Sequence, residues 1–71
     1  MTTPKQTQVA IWIANLRDEH DGIALYEGLA RVDPDPARAE QFRRLAEAES
    51  RHAAIWRTKL DKAGVPLPPA A

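Results

Sequence analysis

Apolar residues recur along this chain at intervals of three and four. A first series runs Val9, Trp12, Leu16, Ile23, Tyr26 and Ala30, and a second runs Phe42, Leu45 and Trp56. That spacing is one face of a helix, and no stretch alternates with the period of two that a strand requires. The punctuation agrees. Thr3-Pro4-Lys5-Gln6 has the form of a capping box, with Thr3 as N-cap, Pro4 at the first helical position and Gln6 reaching back. Asp33-Pro34-Asp35-Pro36 stops the pattern, because proline lacks a backbone donor and restricts the residue before it. Asp35 is a suitable N-cap for a second helix, and Gly64 followed by Pro66 suits its C-terminal end. Lys59 and Lys62 stand in the last turns, where cations complement the helix dipole. The pattern therefore predicts helices over about 4–32 and 36–63, within a helical region 1–64, and a Pro-rich flexible tail over 65–71.

Long helices joined by a short connection pack antiparallel. The expected fold is all-α, a two-helix hairpin. Its first seam reads Val9, Trp12, Leu16, Glu19, Ile23, Tyr26, Ala30, and its second reads Phe42, Leu45, Glu49, His52, Trp56. Ile13, Leu29, Ala46, Ala53, Ile55 and Leu60 widen the stripe. A hairpin of 71 residues leaves much of that stripe uncovered. Chains of this size are usually stabilised by disulfides, a metal or oligomerisation. The absence of cysteine removes disulfides and thiolate chemistry. Pairing with a second copy into a four-helix bundle is the expectation, with an oxygen- and nitrogen-ligated metal as a further brace.

Charge and hydropathy narrow the function classes. The formal net charge is zero, unlike the clearly basic balance of dedicated nucleic-acid binders. The longest apolar run, Val9-Ala10-Ile11-Trp12-Ile13-Ala14, falls far short of the ~20 residues that span a bilayer. Met1-Thr2-Thr3-Pro4-Lys5-Gln6 has no apolar core of a secretory signal, so a cytoplasmic location without a membrane segment is expected.

Each seam is apolar except near its middle, where Glu19 interrupts the first and Glu49 and His52 interrupt the second. Ionised carboxylates on a buried seam are unfavourable unless paired, protonated or metal-bound. With the turn near Pro34 and Asp35, a rise of ~1.5 Å per residue puts all three roughly 22–27 Å from it along an antiparallel pair. Glu49-Ser50-Arg51-His52 is a Glu-x-x-His motif, which turns carboxylate and imidazole to one side of a helix. Dinuclear carboxylate bundles take one Glu from each of two helices and Glu-x-x-His from each of the other two. A two-fold pair of these hairpins supplies that set. Hard oxygen ligands with imidazole suit iron, two per dimer, or manganese, and zinc also fits.

Glu19-His20-Asp21-Gly22-Ile23-Ala24-Leu25-Tyr26, followed by Phe42-Arg43-Arg44-Leu45-Ala46-Glu47-Ala48-Glu49-Ser50-Arg51-His52, resembles the first helix pair of the ferritin-like superfamily. The resemblance covers roughly residues 9–63 and is to rubrerythrin and to the ferritin-like domain that precedes certain membrane iron or manganese transporters. It implies that Glu19, Glu49 and His52 are metal ligands and that Tyr26 is a near neighbour of the metal. Family domains usually have four helices in one chain; this hairpin corresponds to half a ferritin bundle. The cysteine-ligated part of rubrerythrin and the membrane part of the transporters have no counterpart here. The function implied is a di-iron protein with ferroxidase, iron-handling or peroxide-reducing activity, in which a homodimer or higher oligomer reacts bound Fe(II) with oxygen or peroxide.

Blander readings stand beside these. Glu49 and His52 can be a solvated pair on a bundle edge. His20 points about 100° away from Glu19, which suits a surface residue better than an auxiliary ligand. Tyr26, Trp12 and Trp56 suit core or interface anchors. Glu27 and Glu47 fall off the seams, and the arginines of the second helix alternate with acids as on a solvated face. Gly22 and Gly28 each weaken a helix interior by ~1 kcal/mol relative to Ala, which points either to close approach or to tolerated surface positions. A metal-sensing or delivery module of a transporter, and a structural homodimeric hairpin, are the alternatives in other function classes.

Overall fold

The computed structural model describes residues 3–67 as two helices, α1 (Pro4–Val32) and α2 (Pro36–Lys62), with no strand among the described residues. They pack side by side as a helical hairpin, a rod of 51 × 20 × 17 Å. Since one helix is about 10 Å across, that cross-section holds two helices and nothing behind them.

Local chemistry sets the helix ends. The Thr3 hydroxyl accepts the Gln6 N–H at 3.1 Å while the Thr3 N–H donates to Gln6 Oε1 at 2.8 Å, a complete capping box. At the turn, Asp33 Oδ1 accepts the Asp35 N–H at 2.9 Å, and Asp35 Oδ1 accepts the Ala37 N–H at 3.0 Å. The Asp33 carboxylate also takes the Arg38 guanidinium with both oxygens, tying the turn to the first coil of α2. That contact holds the Asp33 carboxyl below the ordinary aspartate range, first through the Arg38 hydrogen bond and then through the Asp35 N–H. At the far end Gly64 adopts φ +73°. The Val65 N–H reaches Leu60 O at 3.0 Å and the Gly64 N–H reaches Asp61 O at 3.0 Å, a Schellman cap. Val65, which the sequence pattern puts in the tail, is packed against the core by that cap. Pro66 and Leu67 follow outside either helix, and the rest of the expected tail, 68–71, lies outside the described residues.

The contact line of α2 differs from the expected seam. Ala39, Ala46, Ala53 and Leu60, spaced at seven-residue intervals, are the buried residues of α2, facing Leu16 and Ala30 of α1. Leu45 and His52 stand instead on the rim, and Ile55 is exposed. The reason is size: alanine lets two helix backbones approach closely, so small residues take the line of contact and larger ones are displaced to its edge.

That register divides the hairpin into two flanks. On one, His20 meets Arg57, and a shallow cleft is lined by Glu27, Arg31, Arg43, Glu47 and Ser50 over a floor of Ala30 and Ala46. On the other, Lys59 lies over the Trp12 ring at 5.6 Å, Tyr26 stacks on Phe42 with centroids 6.3 Å apart, and Glu19 approaches His52. Trp12, Tyr26, Phe42 and Trp56, the whole aromatic complement of the chain, are all half-buried in register with this second flank. No helix among the described residues is long and apolar enough to cross a membrane.

Candidate metal centre

Glu19 sits at the middle of α1, three residues from buried Leu16; on α2, Glu49 is three residues from buried Ala46, and His52, one turn further on, adjoins buried Ala53. The antiparallel pairing brings them together. One ligand atom from each of the three lies within 4.8 Å of the others. His52 Nδ1 is 3.5 Å from Glu19 Oε2, an ion-pair distance without hydrogen-bond alignment. The Glu19 side chain is 18% exposed and that of His52 55%, so the cluster is closed toward α1 and open toward solvent on the aromatic flank.

The trio is electrostatically unfinished. Glu19 Oε2 is buried and has no hydrogen-bond partner. A buried unpaired acceptor of this kind is rare and destabilising. The Glu49 carboxyl is pushed above the ordinary glutamate range. The largest cause is a hydrogen bond to Glu19, which needs a proton between the two carboxyl groups; burial and repulsion from the Glu19 charge add to it, and His52 opposes it. Two carboxylates at this separation call for a positive charge between them. A proton satisfies that need at low pH. A divalent cation satisfies it with both acids ionised and also gives the orphaned oxygen a partner. Two carboxylates and an imidazole are a donor set that iron, manganese or zinc accepts.

The other residues singled out in the sequence are placed differently. Tyr26 is on the same flank, where its ring stacks on Phe42. His20 faces the opposite flank, with Nε2 3.4 Å from Arg57 Nη1. Gly22 proves to be a neighbour of the trio: a Cβ there would lie 3.1 Å from Glu49 Oε2. A glycine inside a long helix was its one sequence signal, and only the cross-helix contact gives it meaning. Comparison with known protein families, with curated proteins and with solved structures returns no match to this chain.

Proposed function

We propose that this chain is a ferritin-like di-iron carboxylate protein whose centre is completed when two hairpins join by their aromatic flanks. The observation that carries the reading is the orphaned Glu19 Oε2 beside a Glu49 carboxyl held above its ordinary range, both within reach of His52. Glu19 and Glu49 serve as carboxylate ligands and His52 as the imidazole ligand. Iron supplies one-electron chemistry toward oxygen or peroxide; the chain holds, orients and partly shields it.

Three features support a second copy as the partner. Leu45 is exposed on the flank that carries the trio, while helical register turns exposed Ile11, Leu25, Val32 and Ile55 toward the outer face of the hairpin. That flank also holds the half-buried aromatic line, whereas the opposite flank is rich in charge. One hairpin brings three ligands and leaves the trio open on that side, and a two-fold axis beside it would bring an identical set.

The test is elemental analysis of the full chain loaded with Fe(II), together with its mass by light scattering. About one metal per chain in a dimer or a multiple of it is expected, as in two-metal carboxylate bundles. Glu49→Ala should lose most of the bound metal. A parent protein without metal above background, or a Glu49→Ala variant that holds iron as tightly as the parent, would overturn the reading and leave a structural hairpin.

A further inference from the structure

Two glycines lie inside α1, and their surroundings differ. A Cβ on Gly28 would meet only Arg31 Nη2, at 3.8 Å, an ordinary contact. A Cβ on Gly22 would lie 3.1 Å from Oε2, 3.3 Å from Cδ and 3.4 Å from Cγ of Glu49. All three contacts are to one side chain, and that side chain belongs to the trio.

We infer that Gly22 is a positioning residue for the metal centre: its missing side chain is the space in which the Glu49 carboxylate lies against α1 to meet Glu19 and His52. The inference rests on the metal-centre reading and deepens it. Glu49 emerges from α2 and must reach across the helix pair. Any side chain at position 22 occupies the surface over which it reaches. The obstruction falls on the end of a flexible side chain rather than on backbone, so the metal-free hairpin accommodates a methyl group once the Glu49 side chain gives way by a few tenths of an ångström. Metal binding does not have that freedom, because it requires the carboxylate at one place. The two properties should therefore separate: Ala at position 22 removes a weak helix former, so metal-free stability holds or rises while metal affinity falls.

The experiment compares the full chain with G22A and G28A. Co(II) titration followed by visible absorption gives affinity and ligand geometry, and chelator-treated protein gives thermal stability. G28A should raise the melting temperature and bind Co(II) like the parent. G22A should melt no lower than the parent, yet bind Co(II) about ten- to a hundred-fold more weakly with an altered absorption band, the loss typical when a support of a metal ligand is removed. G22A binding Co(II) with the parent's affinity and spectrum would overturn the inference. Crystal structures of metal-free parent and G22A supply an independent arm. The Glu49 carboxylate should move away from Glu19 in the variant, and an unmoved carboxylate would overturn the inference. A parent that takes no Co(II) counts against the metal centre itself, and the carboxylate position then decides the role of Gly22 alone.

Discussion

At the scale of single residues, the Glu19, Glu49 and His52 trio is governed by the approach of two carboxyl groups. Glu49 binds its proton more tightly in the folded hairpin than in the unfolded chain, because folding brings it against Glu19 and partly out of water. The native state is then favoured while Glu49 is protonated. Its stability falls as pH rises through the interval between the ordinary glutamate value and the raised folded value. Asp33 has the opposite sign. Its lowered carboxyl contributes stability that is present above the ordinary aspartate value and is lost as pH falls through the folded value. The two effects act in separate windows, Asp33 in stronger acid and Glu49 on the way to neutrality. Thermal melts with chelator present should thus show a maximum in mild acid. Glu49→Gln should flatten the decline toward neutral pH and leave the acid limb intact. Divalent metal should reverse the decline in the parent, since its ligands must be deprotonated. Metal-free stability that only climbs toward neutrality would contradict this account of Glu49.

At the scale of the helices, the decisive element is the small-residue line of α2. Ala39, Ala46 and Ala53 line the contact with α1, and Leu16 packs with Ala53 and Leu60 in one buried cluster. The distance between Glu19 and Glu49 is inherited from this spacing. Ala53→Leu inserts bulk into a closed contact and should destabilise the hairpin by about 1–3 kcal/mol in urea denaturation. It should also spread the trio, so metal affinity falls with stability, in contrast to the Gly22 substitution. The Schellman cap belongs to the same scale. By turning the chain at Gly64 it lays Val65 on the core cluster that contains Leu60.

At the scale of the whole molecule, two helices enclose one line of contact and leave a second line half-covered. The contact line holds alanines and leucines, while the half-covered one holds every aromatic residue and the trio. Burying a Leu contributes roughly 1.5–3 kcal/mol, so a flank with Leu45 exposed beside four half-buried aromatic residues has a drive to be covered. Light scattering should find the parent as a dimer or a multiple of it. Leu45→Glu should shift the mass to the monomer, whereas Ala54→Glu, in register with the charged flank, should leave it unchanged. A parent that is monomeric with and without metal would remove the dimer.

The ends of the helices were legible because caps are local. Thr3, Pro4 and Gln6, then Asp33 to Pro36, then Gly64 and Pro66, act on backbone groups within a few residues of themselves, and their chemistry is written in sequence order. The meeting of Glu19, Glu49 and His52 was legible for a related reason: an antiparallel pair with a short turn sets the height of every residue by its distance from that turn. Rotation about the helix axis was decided only in three dimensions. Leu45 and His52 share the apolar period with Phe42 and Glu49, so periodicity by itself could not tell the inner line of α2 from its rim. The choice fell to the alanines, because the closest approach of two backbones is set by what both helices present to each other. Gly22 and the Asp33–Arg38 contact depended on tertiary placement in the same way. Each acquires its role from a residue across the turn or across the helix pair, and no property of either residue in isolation names that partner.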